Sequence, residues 1–266
     1  MLRHEAMLEK LWYRLTDPLF YRKRLLQVSR PLRPKPRPHT VSLESLLARE
    51  GPVLVAIAHP DDELFASCLL CELAEHGREV RIACLTRGEG GVTGGTSREE
   101  LGRVREAELR ASAALLGATQ VHFLGHVDPV GKEHRVYAPP VSVAELAAQL
   151  APLLEGAAFV ITHGSGGEYW HPAHILMHHA VRSSVENACP VLTLHAWQAD
   201  HPLPRLLNRE DPPDLVVDGS GHREQRLAAL RAHRSQEIYF TKPGGGSLEG
   251  YIDRTAKEAF RHHPGR

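Results

Sequence analysis

A histidine and three carboxylates follow the first strongly apolar run of the sequence. Residues 53–58 predict a buried strand, and directly after them come His59, Pro60, Asp61, Asp62 and Glu63. Imidazole and carboxylate groups bind zinc, and a carboxylate can also act as a general base. Because residues three apart share one side of a helical turn, His59 and Asp62 face together while Asp61 points elsewhere. Acids that only cap a helix explain one or two carboxylates but leave the histidine unexplained.

A second polar cluster follows the apolar run 159–162. The loop 163–174 contains His171, Pro172 and His174, and the proline suits the first turn of a following helix. One aspartate and two histidines supply three ligands, which is the number of protein ligands in a catalytic zinc site. A fourth position is then left for water. The chain has 18 histidines, so either cluster alone is weak support. The hypothesis depends on both clusters meeting in space.

Hydrophobic periodicity predicts the strands and helices that must position both clusters. Short apolar runs predict buried strands at 53–58, 80–85, 121–124, 159–162, 191–195 and 215–217. Helical patterns lie between most of them, at 64–76, 98–116, 142–154, 173–187 and 221–234. Alternating strands and helices predict an α/β fold, with a Rossmann-like, mostly parallel sheet and helices on both faces. Such sheets bind ligands at the carboxyl ends of their strands, where both clusters would then lie.

Residues 1–38 form a basic arm ahead of the predicted domain. They hold ten Lys and Arg against three Asp and Glu, and residues 30–39 alternate proline with basic residues, which cannot continue a helix. We therefore predict an amphipathic arm with a Pro-rich linker at 1–38 and a single domain at 39–266. Basic amphipathic helices lie on membrane surfaces. We favour an arm that packs on its own core or on a neighbouring subunit of a homo-oligomer.

The composition excludes several classes of protein. The chain has 266 residues, of which 42% are apolar, and its 32 Lys and Arg balance 32 Asp and Glu. Without net charge there is no global field to attract nucleic acid, so we expect no nucleic-acid partner. We find no apolar run of the roughly 18 residues that a membrane-spanning helix needs, and no signal-peptide pattern. Together with four cysteines in apolar patterns, this predicts a cytoplasmic protein.

The residues after the first strand also match a family signature. Ala58-His59-Pro60-Asp61-Asp62-Glu63 resembles the signature of the PIG-L (LmbE-like) zinc-dependent N-acetylglucosaminyl deacetylases. Further segments that resemble the family follow in the expected order, at 85–90, 105–109, 116–117, 123–125, 128, 169–174 and 233–236. The resemblance covers residues 50–240 and leaves out the basic arm.

The resemblance implies a role for each residue of the two clusters. One zinc ion per chain would be bound by His59, Asp62 and His174. Asp61 would act as the general base, and His171 would stabilise or protonate the tetrahedral species. The implied reaction removes the N-acetyl group from an N-acetylglucosamine-containing small molecule or conjugate, and it releases acetate and a free amino sugar.

The resemblance also implies substrate contacts, and this chain departs from it at one position. Arg105, Asp128 and Tyr169 would hold the sugar. Many relatives carry an acid between the two histidines of the second cluster, where this chain has Ala173. Such an acid could orient the first of these histidines, and Glu168 is a nearby substitute. The departure leaves open a catalytically weak or inactive sugar-binding protein of the same fold.

The same ligand set fits a second class of metal enzyme. Two histidines and one carboxylate form the facial triad of non-haem Fe(II) oxygenases, so ferrous iron is an alternative ion. Iron oxygenase chemistry does not explain the second aspartate, Asp61, which is useful where a proton must be removed. We therefore favour zinc-dependent hydrolysis over iron chemistry.

Overall fold

A computed structural model describes residues 18–35, 37–38, 40–131, 135–185, 189–197, 206–209, 212–241 and 246–265. Within these residues a seven-stranded sheet has the strand order β3-β2-β1-β4-β5-β7-β6. The strands are β1 (Val53–Ile57), β2 (Val80–Thr86), β3 (Gln120–His126), β4 (Phe159–Thr162), β5 (Val191–Thr193), β6 (Leu215–Asp218) and β7 (Lys257–His263). The first five pair in parallel, whereas β7 runs antiparallel to β5 and β6. The predicted α/β fold with a mostly parallel sheet is confirmed.

The hydrophobic periodicity did not predict β7. The sequence of this strand, KEAFRHH, is mostly polar and does not read as a buried apolar run. Two of its charged side chains, Glu258 and Arg261, are buried and have polar partners in the fold. Glu258 accepts hydrogen bonds from the backbone N–H groups of Cys68 and Leu69, and Arg261 pairs with Asp214 at 3.1 Å.

The described helices are α1 (Pro18–Val28), α2 (Leu43–Leu47), α3 (Ser67–Glu75), α4 (Arg98–Leu115), α5 (Val143–Leu154), α6 (Pro172–Val185), α7 (Arg223–Ala232), α8 (Ile238–Thr241) and α9 (Leu248–Arg254). The five helices predicted between the strands are α3 to α7, and their ends lie close to those expected. A 3-10 turn, Asp62–Ala66, precedes α3, and a kinked turn, Gly167–Trp170, precedes α6. Ser97 and Ser142 cap α4 and α5 by accepting a backbone N–H from the first turn.

The central strand β1 is buried on both faces of the sheet. Val53, Val55 and Ile57 pack in one apolar cluster with residues of α3, α4 and α7. Leu54 and Ala56 pack in a second cluster with residues of α5 and α6. Helices therefore cover both faces of the sheet. The loops at its carboxyl edge are then the place where a ligand site can form.

The basic arm is tied to the domain near its C-terminal end, although residues 1–17 of the arm lie outside the described residues. Arg30 is buried, and its Nη2 donates to the backbone carbonyls of Leu206 at 3.1 Å and Asn208 at 2.8 Å. Its guanidinium lies over the ring of Trp197, 5.1 Å from the centroid. Among the described helices, none combines the length and the apolar character needed to cross a lipid bilayer.

Candidate active site

Side chains from the ends of two neighbouring strands converge at the carboxyl edge of the sheet. His59 and Asp62 follow β1, and His174 lies in the first turn of α6, which follows β4. The two strands pair in parallel. His59 Nδ1 lies 3.3 Å from Asp62 Oδ2 and 3.3 Å from His174 Nε2. His174 Nε2 lies 3.4 Å from Asp62 Oδ1, and all three side chains are buried.

A carboxylate behind each of the two histidines favours one ring nitrogen as the acceptor in this cluster. His174 Nδ1 donates to Glu168 Oε2 at 2.6 Å, so Nε2 carries a lone pair. His59 Nε2 lies 3.5 Å from Asp128 Oδ1, which favours a proton on Nε2 and leaves Nδ1 as an acceptor. Two imidazole lone pairs and the Asp62 carboxylate then face one another. These groups repel one another unless a cation lies between them.

The groups around His59 also favour a positive charge in the cluster. Burial disfavours the charged imidazolium, but the carboxylates of Asp128 and Asp62 outweigh it and raise the pKa of His59 to about 10. The cluster therefore attracts a cation, either a proton or a metal ion. In a tetrahedral zinc site with bonds of about 2.0–2.1 Å, neighbouring ligand atoms are about 3.3 Å apart. The separations in this cluster match that value, so the residues present fit a divalent metal ion.

Two further histidines lie near the cluster but are held by other bonds. His163 Nε2 is 3.5 Å from Asp62 Oδ2, yet it accepts the backbone N–H of Ala58 at 3.0 Å. Its Nδ1 donates to Glu168 Oε2 at 2.9 Å, so both ring nitrogens are used. His178 Nδ1 donates to the backbone carbonyl of His163 at 2.8 Å. Sequence reasoning missed the role of His163, because the bond to Ala58 exists only in the folded chain.

Glu168 is a buried carboxylate that supports the ligand histidine of α6. Its backbone lies in the left-handed region, with φ of +56°. Oε1 accepts from the backbone N–H of Gly164 at 2.9 Å and from Asn208 Nδ2 at 3.3 Å. Burial disfavours the charged form, but the adjacent imidazoles hold the pKa of Glu168 well below its usual range. The sequence suggested Glu168 as a partner of His171, whereas its bond in the structure is to His174.

Asp61 is turned away from the ligand cluster by its backbone. Its φ of +97° is left-handed, so it and Asp62 point in different directions. Asp61 Oδ2 lies 3.0 Å from Arg105 Nη2, and Arg105 also donates to the backbone carbonyls of Gly88 at 2.9 Å and Pro60 at 2.5 Å. Burial raises the pKa of Asp61 to about 6, although the guanidinium opposes this shift. A carboxylate of this kind is suited to accept a proton near neutral pH.

Glu63 holds the strained turn at Asp61 in place. Its Oε2 accepts the backbone N–H of Asp61 at 2.9 Å, which satisfies a donor at the start of the 3-10 turn. Its Oε1 accepts from Ser112 Oγ at 2.6 Å and lies 2.5 Å from His233 Nε2. The three side chains of Glu63, Ser112 and His233 are buried. They connect the turn to α4 and to the segment after α7, a connection that sequence reasoning missed.

His171 lies beside His59 and His174, and among the residues that the structure describes it makes no hydrogen bond to a carboxylate. Its ring stacks on His174 with centroids 4.5 Å apart and meets the ring of His59 edge-on at 4.7 Å. Its Nδ1 is buried and makes no hydrogen bond to the part of the chain that the structure describes. Burial and the two neighbouring imidazoles lower the pKa of His171 well below its usual range. Ala173 packs in the apolar core and supplies no charge to His171.

The three residues that the resemblance assigns to substrate lie around the cluster. Arg105 is buried against the carboxylate of Asp61, as described above. Asp128 is buried between His59 and the loop after β2, where its Oδ2 accepts the backbone N–H of Gly90 at 3.1 Å. Tyr169 is about half exposed, with a relative accessibility of 46%, and it is the most accessible residue of the three.

The fold and this cluster define an α/β protein with a group of residues that could hold a metal ion at the carboxyl edge of its sheet. The chain belongs to the PIG-L family. The family model described as GlcNAc-PI de-N-acetylase matches residues 54–185. A 1D-myo-inositol 2-acetamido-2-deoxy-alpha-D-glucopyranoside deacetylase of Mycobacterium sp. (strain KMS) is 30% identical over 226 residues, which cover 69% of this chain and 73% of the relative. The family resemblance found in the sequence is confirmed, and it supports an amide-hydrolysing deacetylase.

Solved structures show the same fold at lower identity. The N,N'-diacetylchitobiose deacetylase of Pyrococcus horikoshii is 21% identical, with a TM-score of 0.61 and coverage of 94% of both chains. GalB, a 4-carboxy-2-hydroxymuconate hydratase of Pseudomonas putida KT2440, is 20% identical, with a TM-score of 0.59 and coverage of 82% of this chain and 98% of the hydratase. Because a hydratase shares the fold, the fold alone does not determine the reaction.

Proposed function

We propose that the chain is a metal-dependent N-deacetylase that acts on an N-acetylglucosamine-containing small molecule or conjugate. Its products are acetate and a free amino sugar. The observation that carries this proposal is the convergence of His59, Asp62 and His174 within 3.4 Å. The carboxylate of Asp61 is close enough to interact electrostatically with that of Asp62. The mycobacterial relative, which by its name deacetylates such a compound, supports the choice of substrate class.

We assign one zinc ion per chain to this cluster, with His59, Asp62 and His174 as its ligands. Zinc polarises a bound carbonyl and lowers the pKa of its water to about 7. Glu168 keeps the proton on Nδ1 of His174, so the other nitrogen stays available to the ion. The same donor set accommodates Fe²⁺, and metal analysis of protein purified without added metal distinguishes the two ions.

Asp61 is the general base of the proposed reaction. It accepts the proton of the attacking water, and this proton is then delivered to the leaving amine. Arg105 holds the Asp61 carboxylate in place through its bond at 3.0 Å. His171 is neutral in this environment and donates a hydrogen bond to the oxyanion that develops on the acetyl carbonyl. Amide and water are thereby converted to acetate and amine.

Substrate contacts in this proposal come from Tyr169, Asp128 and Arg105. Tyr169 is partly exposed, its ring centroid lies 5.5 Å from that of His174, and it contacts the sugar directly in this proposal. The other two are buried among the residues of the cluster, so they contact the sugar only where it reaches the bottom of the site. We also propose a cytoplasmic location, which is supported by the free thiols of all four cysteines.

The test is to incubate the zinc-loaded chain with a panel of N-acetylglucosaminides and to measure released amine and acetate. We expect equal amounts of both products from at least one member of the panel. Loss of product after chelation, and its recovery when zinc is restored, would connect turnover to the metal. Absence of amine release from every member of the panel would contradict the proposal.

A second candidate is a sugar-binding protein with little or no turnover. It is favoured by Ala173, which leaves His171 without a carboxylate partner. Calorimetric binding of an N-acetylglucosaminide that is not hydrolysed over long incubation would support this second function. The retained Asp61 argues against it, because a binding site has no use for a proton acceptor at that position.

A further inference from the structure

Helix α1 of the basic arm has apolar side chains on two sides. Phe20 and Leu26 lie partly buried on the inner side, and Arg30 is buried just beyond the helix. A second set of apolar side chains faces solvent, and we name it the arm stripe: Tyr21, Leu25, Val28 and Leu32, exposed by 51%, 65%, 69% and 86%. Their spacing of four, three and four residues places them along one side of the helix and the turn that follows it.

The charged side chains of the segment that carries the arm stripe are all basic. Between residues 18 and 43 the chain has no Asp or Glu, and its basic residues there are Arg22, Lys23, Arg24, Arg30, Arg33, Lys35 and Arg37. A second copy of the chain docked stripe to stripe would bring two such segments together and would be opposed by their repulsion. An anionic lipid surface offers hydrocarbon for the apolar side chains and phosphates for the basic ones.

We propose that α1 and the turn after it dock on an anionic lipid bilayer, with the arm stripe at the acyl boundary. The apolar stripe and the charge of the segment carry this proposal together. Neither feature is used by the candidate active site, so the docking surface stands independently of the reaction.

The arm is also fastened close to the candidate active site. The guanidinium of Arg22 lies over the ring of Trp170, 4.8 Å from its centroid, and Trp170 directly precedes His171. Arg30 binds the backbone carbonyl of Asn208, whose side chain accepts the backbone N–H of Glu168 at 2.9 Å. The arm stripe therefore belongs to a segment that is fastened to Trp170 and, through Asn208, to Glu168.

The test is co-sedimentation of the full chain with vesicles, which needs no substrate. We expect binding to phosphatidylcholine vesicles containing about one third phosphatidylglycerol, and much weaker binding to pure phosphatidylcholine. The triple variant Leu25→Glu, Val28→Glu, Leu32→Glu should bind anionic vesicles at least about tenfold more weakly, because it replaces the inserted side chains with anions. A control variant, Leu115→Glu with Val216→Glu, changes exposed apolar residues outside the arm and should bind like the wild type.

Thermal melting followed by circular dichroism shows whether the triple variant is folded, since its substitutions lie at exposed positions. The proposal is wrong if the wild type stays in the supernatant with anionic vesicles, or if the folded triple variant sediments equally. It is also wrong if light scattering finds that the wild type is a dimer and the triple variant is a monomer, because the stripe would then be an interface between copies. Each outcome is independent of deacetylase activity.

Discussion

At the scale of single residues, two adjacent aspartates have different surroundings. Asp62 accepts the backbone N–H of His59 at 2.8 Å and faces both ligand histidines. Asp61, with its left-handed backbone, faces Arg105 instead. The different surroundings therefore follow from one unusual backbone angle, which Glu63 holds by accepting the Asp61 N–H.

The first prediction separates the two aspartates by substitution. Asp61→Asn should keep the metal and lose turnover, because it removes the proton acceptor, and general-base catalysis is worth about 10² to 10⁴ in rate. Asp62→Asn should lower metal affinity, because a neutral amide replaces an anionic ligand, and excess zinc should partly restore amine release. Zinc titration of both variants, with metal content and amine measured together, checks this. Rescue of Asp61→Asn but not of Asp62→Asn would reverse the two roles.

The second prediction concerns the carboxylate behind His174. Glu168→Gln keeps the size of the side chain but removes the charge that fixes the proton on His174 Nδ1. Loss of such a partner typically costs about 10- to 100-fold in metal affinity. Competition with a metal-binding dye measures the change. Glu145→Gln, at the cap of α5 and outside the site, is the matched control, and equal affinity in the two variants would argue against the role of Glu168.

At the scale of elements, the site joins the end of β1 to the start of α6. The two strands that lead into it are paired from Val53 with Phe159 to Ala56 with Thr162, so their following loops meet. Helix α6 carries two buried histidines one turn apart, His174 and His178. The hydrogen bond of His178 to the His163 carbonyl makes it part of the scaffold.

The third prediction uses this pair on α6. His174→Ala should lose most of the bound metal, whereas His178→Ala should retain it, because only the former removes a ligand atom from the cluster. Metal content after dialysis, measured by atomic emission, distinguishes the two variants. If His174→Ala binds as much metal as the wild type, the ligand set is wrong and His178 is the first substitute to examine.

A fourth prediction tests the connection that Glu63 makes between elements. Glu63→Gln cannot accept from Asp61, Ser112 and His233 as the carboxylate does, so the turn at Asp61 loosens. We expect turnover to fall while the metal stays bound and KM changes little, because the base is displaced and the ligands are not. Thermal melting gives the accompanying loss of stability. Unchanged turnover in a folded variant would show that Glu63 is only structural.

At the scale of the whole molecule, an antiparallel strand, β7, lies between β5 and β6 and carries a partly buried histidine. His263 Nε2 lies 3.3 Å from Thr193 Oγ1 of β5. Burial, with Arg182 nearby, lowers the pKa of His263 from 6.5 to about 3. The folded chain therefore keeps this side chain neutral at pH values where the unfolded chain binds a proton. Stability from this group is present above pH 6.5 and is lost as the pH falls toward 3.

The fifth prediction follows from this linkage. Lowering the pH from about 7.5 to about 5 should reduce the melting temperature of the wild type more than that of His263→Gln, which has no proton to bind. The control variant His76→Gln, at an exposed position, should show the same fall in melting temperature as the wild type. Melting curves of the three proteins at both pH values decide the matter. Equal losses in wild type and His263→Gln would show that this histidine does not contribute to acid sensitivity.

Periodicity and strand-end clustering in the sequence were enough to predict the α/β fold, six of the seven described strands and the edge where His59, Asp62 and His174 meet. These depend on local patterns and on a general property of parallel sheets. Only the tertiary structure decided that Glu168 bonds to His174 and that His233 reaches Glu63 across 170 residues. It also decided that β7 lies between β5 and β6 and that the arm stripe stays exposed. Such pairings arise from contacts between segments that are distant in the sequence, so local sequence patterns do not predict them.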